Sequence, residues 1–281
     1  MEEKIINIQD YELSGGGKFG ESYIKRDNPN ILLKLYPTEL EQMGLDEFDR
    51  AWKVYKTGLP CPEPGELVRT SDGSLGILFK RIIGKKSFAR ALSERPEMLE
   101  KLAFEFAETC KLLHSTTPAE GTFPTAKFQY TQEIMDDPFL TPEEKNALER
   151  FIYSLPDAST AVHGDLHHGN IIFTEDGHKY LIDLSEFCTG TPWFDMGIIY
   201  RQTRQIPEEM EMELYHMDKK LSTAFWNEFV RNYFGQDVSI KEVEEQALVY
   251  AYLRILVLER LLGKPSLQIR PEVHKLIGLA P

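Results

Sequence analysis

Ala161-Val162-His163-Gly164-Asp165-Leu166-His167-His168-Gly169-Asn170-Ile171-Ile172-Phe173, continued by Tyr180-Leu181-Ile182-Asp183, decides the fold. An apolar dipeptide leads into a polar loop, and the loop feeds a hairpin: Ile171 to Thr174, a turn at Asp176 and Gly177, then Lys179 to Asp183. So tight a hairpin lets Asn170 at its entrance and Asp183 at its exit lie side by side. Two such oxygen donors suit magnesium, a hard cation held by one or two protein groups together with phosphates. Asp165 stands five residues before Asn170 in the same loop. A carboxylate there can accept or orient the proton of an attacking hydroxyl.

Outward from this stretch, the N-terminal part reads as strands. Tyr11 to Gly15 runs into Gly15-Gly16-Gly17, Glu21 to Arg26 follows, and the turn Asp27-Asn28-Pro29-Asn30 leads to the apolar run Ile31 to Tyr36, which carries Lys34. A helix is predicted from Glu39 to Lys56, with Leu45, Phe48, Trp52 and Tyr55 on one face, stopped by Gly58 and Pro60. Glu66 to Arg69 and Leu75 to Arg81 form a further hairpin around Ser71-Asp72-Gly73. Beyond Ile82-Ile83-Gly84 the pattern turns helical: Met98 to His114, Glu143 to Leu155 behind a Thr141-Pro142 start, Pro207 to Phe234, and Ile240 to Leu262. The expectation is an α+β chain with a sheet lobe of about five strands and one helix at 1–82, and a larger helical lobe at 83–281 whose sole strands are the hairpin.

The loop and hairpin resemble the catalytic loop and metal-binding strand end of the aminoglycoside phosphotransferase and choline kinase family, which shares its fold with protein kinases. The resemblance implies two lobes, a small antiparallel-sheet lobe and a larger mostly helical one, with ATP and magnesium as cofactors. It implies Asp165 as catalytic base, and Asn170 and Asp183 as magnesium ligands. Thr191-Pro192-Trp193-Phe194-Asp195-Met196-Gly197 resembles a further family segment, in which the aspartate, here Asp195, is buried under the catalytic loop and fixes backbone amides. Lys34 matches the lysine that contacts the α and β phosphates. Its acidic partner is expected at Glu47, with Glu41 as the rival.

Gly15, Gly16, Gly17 and Lys18, in the loop from Ser14 to Gly20, are expected to cover the phosphates through backbone amides. The loop departs from GxGxxG and lacks the GxxxxGK[ST] arrangement of a P-loop. Lys80 to Ile83 is expected to meet the base with main-chain groups, Arg81 and Ile83 above all. Taken singly, a triple glycine at a strand end is more often a turn, and a lysine in an apolar strand more often faces solvent. The order Lys34, Glu47, Asp165, Asn170, Asp183 carries the reading jointly.

Composition narrows the rest. Three cysteines without a CxxC pair fit a reducing compartment and speak against zinc or a disulfide scaffold. His167 and His168 lack a third nitrogen or sulfur ligand at zinc spacing, and His163 reads as a loop anchor. A formal charge of −13 repels a phosphate backbone, so nucleic acid is not expected as a partner unless a local basic patch exists. MEEKIINIQDYE has neither a basic region nor an apolar core of a signal peptide, and no run approaches the roughly 20 apolar residues of a membrane span. A cytoplasmic monomer or weak homodimer is expected.

Gly164 stands where protein kinases have arginine, and 186–197 is too short for a peptide-binding activation loop. The acceptor is therefore expected to be the hydroxyl of a small molecule: an aminoglycoside, amino alcohol or sugar-like compound. A protein-kinase-like enzyme and a nucleotide-binding pseudokinase are the alternatives, and the choice between ATP and GTP stays open. Candidate acceptor walls are Glu186, Trp193, Arg201, Arg204 and the acids of Glu208 to Glu213. An acidic wall favours a cationic acceptor, whereas Arg201 or Arg204 turned inward favours a carboxylate-bearing or sugar acceptor.

Overall fold

The chain's computed structural model describes residues 4–17 and 20–279. Along it run β1 (Lys4–Ile6), β2 (Tyr11–Gly17), β3 (Gly20–Lys25), β4 (Ile31–Tyr36), α1 (Glu41–Thr57), β5 (Pro64–Thr70), β6 (Leu75–Lys80) and β7 (Lys86–Ser87). There follow α2 (Phe88–Glu94), α3 (Leu99–Ser115), α4 (Ala126–Asp136), α5 (Pro142–Ser154), β8 (Thr160–Val162), β9 (Ile171–Phe173), β10 (Lys179–Leu181) and β11 (Cys188–Gly190). Last come α6 (Trp193–Tyr200), α7 (Glu208–Tyr215), α8 (Lys219–Phe234), α9 (Ile240–Leu262) and α10 (Arg270–Ile277). Two compact units result: Met1–Ser87 with Asn170–Glu186, and Phe88–Gly169 with Phe187–Pro281. The sequence reading cut the chain once, after residue 82. The hairpin belongs with the N-terminal unit because β7 pairs with β9, Lys86 opposite Phe173.

The first unit holds a six-stranded sheet in the order β1-β5-β6-β4-β3-β2. It is mixed and not purely antiparallel as expected, since β1 runs parallel to β5 with Lys4 opposite Val68. Three residues are too few to show alternation, so this edge strand left no legible pattern. Leu33, Val68, Tyr11 and Ile6 form one core cluster of the sheet. The helix α1 buries Gly44, Glu47, Ala51 and Val54, a face turned from the predicted Leu45, Phe48, Trp52, Tyr55 stripe. Close approach to the sheet selects the small residues: a Cβ on Gly44 would sit 2.8 Å from the side chains of Tyr36 and Leu75.

In the second unit, Phe106 meets Phe88, Phe225 and Phe229 edge-on, with centroids 5.4 to 5.5 Å apart. A further cluster joins Ile134 of α4, Leu148 of α5 and Leu256 of α9. Beyond the predicted hairpin, a second antiparallel pair exists, β8 with β11, Val162 opposite Cys188. Its strands of three residues again fall below what alternation can reveal. Pro207 to Phe234 divides at His216, whose φ of 56° ends α7 before Asp218 caps α8. The helix α6 continues into a π-helical turn, Arg201–Gln205. Among the described residues no helix is long and apolar enough to cross a membrane.

Candidate active site

In the first unit Lys34 sits mid-strand on β4, opposite Ser22 and Ile77. Its Nζ lies 3.0 and 2.7 Å from the two carboxylate oxygens of Glu47 and is also paired with Asp183. The Tyr36 hydroxyl donates to the same Glu47 carboxylate. Glu41, the rival partner, is bound instead to Arg69. Burial presses the Lys34 ammonium toward neutrality, and the Glu47 and Asp183 carboxylates more than reverse it, holding the group well above an ordinary lysine.

Asn170 and Asp183 are brought together as the hairpin geometry requires. β9 and β10 pair Ile171 with Leu181, and the Ile182 N–H donates to Asn170 O at 3.0 Å, which extends the ladder by one step. Asp183 then takes a left-handed φ of 60°, a conformation that aspartate tolerates better than most residues and that concentrates at functional sites. Behind it, Arg50 of α1 donates to the Ser185 carbonyl, tying the segment to the helix that carries Glu47. An amide oxygen and a carboxylate at adjoining positions fit a magnesium ion by the chemistry of their donors.

A cavity opens onto these groups. Leu32, Pro62, Phe79, Ile172 and Leu181 supply apolar walls, and Lys34, Glu47 and Asp183 line one polar part of it. That mixture of apolar and charged walls suits a flat heteroaromatic group with attached phosphates. Of the two residues singled out in the connecting segment, Arg81 lines the cavity, but its N–H is already donated to Asn30 O at 2.7 Å. Ile83 is 57% exposed and is not part of the lining; Ile82 is. Gly15 and Gly16 are paired within the β2–β3 ladder, opposite Ser22 and Glu21, with a bulge between Leu13 and Gly15, and Gly17 pairs with Gly20. The glycine run thus continues a strand and is no open loop. Lys18 lies outside the described residues.

Lys85 also lines the cavity and was not foreseen. Burial lowers its pKa, while Asp183 pulls it back up. In Gly84-Lys85-Lys86 it reads as one of two surface lysines, and nothing local marks which turns inward.

In the second unit the loop after β8 is fixed by Asp195, which is fully buried. Its carboxylate accepts from the His163 N–H at 2.8 Å and the Gly164 N–H at 2.9 Å, and His114 Nε2 lies 3.1 Å away. Such partners offset the cost of burying the charge. Gly164 has φ +84°, open to glycine and unfavourable to the arginine of protein kinases. The His163 ring, fully buried, accepts from the Asp165 N–H at 3.3 Å. His168 is also buried, stacked against Phe225 and 4.2 Å from the Tyr215 ring, and burial drives its pKa far down, so it is a neutral packing group.

The Asp165 carboxylate is partly exposed and accepts from Arg254 Nη2 at 3.0 Å, with His167 Nε2 at 3.8 Å. Sequence reasoning missed Arg254. Its signal was a lone cation inside the apolar run Leu253-Arg254-Ile255-Leu256 of α9, where a charge demands a partner. Among the proposed acceptor walls, Trp193 is stacked on Phe234 at 5.4 Å, and Arg204 is bound to Glu244 at 3.0 Å and Thr223 at 2.8 Å. Glu211 is buried beside Lys219, 3.5 Å away, whereas Glu208, Glu209 and Glu213 face solvent. Glu186 closes the first unit and is half-buried.

The sequence model of the phosphotransferase enzyme family matches residues 12–219. No curated protein sequence matches the chain. Among solved structures, an aminoglycoside 3'-phosphotransferase of type VIII is 17% identical, with 88% of this chain and 94% of that one covered and a TM-score of 0.60. The aminoglycoside phosphotransferase APH(3'')-Id of Streptomyces rimosus, in complex with ADP and streptomycin, is 18% identical over 88% and 92% of the two chains, with a TM-score of 0.56. The choline kinase LicA of Streptococcus pneumoniae is 14% identical over 95% and 93%, with a TM-score of 0.54. At these identities the likeness is one of fold, and that fold is protein-kinase-like.

Proposed function

The chain belongs to the phosphotransferase enzyme family, and from that premise we propose that it moves the terminal phosphoryl group of ATP onto a hydroxyl of a small molecule. The observation that carries the reading is Lys34, kept cationic by Glu47 and Asp183 on the wall of a cavity with apolar sides and a charged end. In this reading the base lies between the apolar walls, with the main chain at Ile82 facing its edge. Lys34 neutralises the α and β phosphates, and Lys85 adds a second positive charge.

Asn170 and Asp183 would hold magnesium, which when bound neutralises charge on the phosphate oxygens. Asp165 orients the acceptor hydroxyl and takes its proton. The acceptor oxygen bonds to the γ-phosphorus, the bond from that phosphorus to the β–γ bridging oxygen breaks, and ADP departs. Asp195 acts through the loop, holding the His163 and Gly164 amides so that Asp165 keeps its place. Neighbours solved with ADP or GDP support a purine nucleotide donor, and streptomycin in one complex supports a small polyhydroxylated acceptor. Three buried free thiols fit a cytoplasmic enzyme.

The test is acceptor-dependent ADP release with magnesium and ATP, over aminoglycosides, choline, amino alcohols, hydroxy acids and sugars. Release that falls by about 10²–10⁴-fold in Asp165→Ala, with MgADP affinity retained, establishes the reading. Unchanged turnover in that variant would sink the role of Asp165, and MgATP binding without transfer to any acceptor would favour a pseudokinase.

A further inference from the structure

Arg254 lies on the buried face of α9 with Tyr250, Ala251 and Val257, and its Nη2 donates to Asp165 Oδ1 at 3.0 Å. The arginine side chain is 5% exposed and the aspartate 30%, so the cation is sealed in the unit while the carboxylate stands partly in solvent. Stability alone does not call for such a pair, because an apolar side chain of similar volume on that face avoids taking a charge out of water. What the buried guanidinium adds is direction. Its donors are planar and fixed, and a carboxylate that accepts from them loses rotation about its own bond. His167 Nε2, 3.8 Å from Oδ2, is beyond hydrogen-bond reach.

The helix that carries Arg254 is locked to the helix that holds the loop's backbone. A Cβ on Gly197 of α6 would stand 2.5 Å from Tyr250 Cβ and 2.8 Å from Ala251 N, so α6 and α9 meet backbone to backbone. Two residues before Gly197, Asp195 accepts from the His163 and Gly164 amides. One helical turn beyond Tyr250, Arg254 reaches the Asp165 carboxylate. A single helix contact therefore sets the spacing between the hold on the loop's main chain and the hold on its carboxylate. We propose that Arg254 is a positioning residue for phosphoryl transfer: it turns the Asp165 carboxylate toward the acceptor hydroxyl and keeps it there, acting through Asp165. This rests on the phosphotransferase reading, in which Asp165 orients that hydroxyl and takes its proton.

The experiment is a double-mutant cycle on the hydrolysis of MgATP, with water in place of the acceptor hydroxyl and release of labelled phosphate as the readout, joined to crystal structures of the AMPPNP complexes. Arg254→Met should lower kcat about 10–100-fold, the cost of a misplaced catalytic group, with KM for MgATP unchanged. Arg254→Lys should recover part of that loss, since it keeps the charge without the planar fork. In an Asp165→Ala background Arg254→Met should have no further effect, whereas an arginine that merely supports the fold would lower the residual rate in either background. Arg260→Met, farther along α9 and paired with Glu133 at the surface, should leave hydrolysis unchanged. The Asp165 carboxylate of the Arg254→Met crystal should be turned from its wild-type orientation. An unturned carboxylate, additive losses in the cycle, or a loss of nucleotide affinity as large as the loss of kcat would overturn the positioning role while leaving the phosphotransferase reading intact. Bound AMPPNP without hydrolysis of ATP or transfer to any hydroxyl acceptor in the wild-type protein would overturn both.

Discussion

Lys34 Nζ and Glu47 Oε2 stand 2.7 Å apart, and the helix position that places Glu47 there is also the one that buries Gly44 and Ala51 against the sheet. The ion pair is thus a product of helix packing, made where α1 comes closest. The same carboxylate receives the Tyr36 hydroxyl, so its removal would leave a phenol as well as an ammonium short of a partner. Glu47→Gln should lower ADP affinity about tenfold, or ~1.4 kcal/mol. Because the opposing effect of burial then gains weight, the Lys34 pKa should fall. Activity in the variant should decline as pH rises, at a lower pH than in the wild type. Steady-state kinetics across alkaline pH check both; an unshifted alkaline limb would mean that Asp183 alone sustains the charge.

Asp183 combines the proposed role of a magnesium ligand with an unusual backbone, and substitutions separate the two. Asp183→Asn tolerates a φ of 60°, so its thermal stability should stay near wild type while magnesium-dependent turnover collapses. Asp183→Ala should lose turnover similarly and in addition pay about 1 kcal/mol for its left-handed backbone. Parallel melting curves and magnesium titrations distinguish them. Equal stability of the two variants would show that the hairpin relaxes around residue 183.

What could be read from residue order alone follows from how far apart in the chain the contacts lie. The Asn170 and Asp183 juxtaposition is a hairpin property, set by a turn and two short apolar runs within a single stretch. The pairing of Lys34 with Glu47 spans 13 residues and needs one strand and one helix. Arg254 reaches Asp165 across 89 residues, and helical periodicity names a face without naming what packs on it. Past the end of β6 no periodicity operates, so nothing in the residue order distinguishes Ile82, which lines the cavity, from its exposed neighbour Ile83. The strands β1, β8 and β11 are each three residues long, and pairing partners distant in sequence, not alternation, define them.

The capping box of α5 should give the protein an acid-sensitive element. Burial disfavours the Glu144 carboxylate, but the His274 ring at 2.9 Å and the Thr141 N–H and hydroxyl at 2.8 Å outweigh it, and the pKa falls below the ordinary glutamate value. A depressed folded-state pKa contributes stability that is present above the unfolded value and lost as pH falls through the folded one. Glu144→Gln should therefore cost about 1 kcal/mol at neutral pH and less below pH 4, where the wild type has lost the same contribution. Denaturant melts at a series of pH values would show the two curves converging in acid; parallel curves would remove Glu144 from the account.

Asp195 tests whether the catalytic loop is held from beneath. One carboxylate serves two amides and a histidine, and the histidine is in turn bound to the Tyr233 hydroxyl at 2.8 Å. Replacing it by asparagine keeps one acceptor oxygen and turns a donor toward an amide that also donates. The cost should be about 1–3 kcal/mol of stability, the range for a buried group left without its partner. On the proposed roles turnover should fall, because Asp165 lies one residue beyond Gly164, yet nucleotide affinity, which the proposal assigns to Lys34, Glu47 and Asp183, should stay near wild type. Asp195→Ala removes both acceptors and should exceed the asparagine variant in both losses. If either variant weakened nucleotide binding as much as turnover, the effect would be global unfolding and the positioning role of Asp195 would fail.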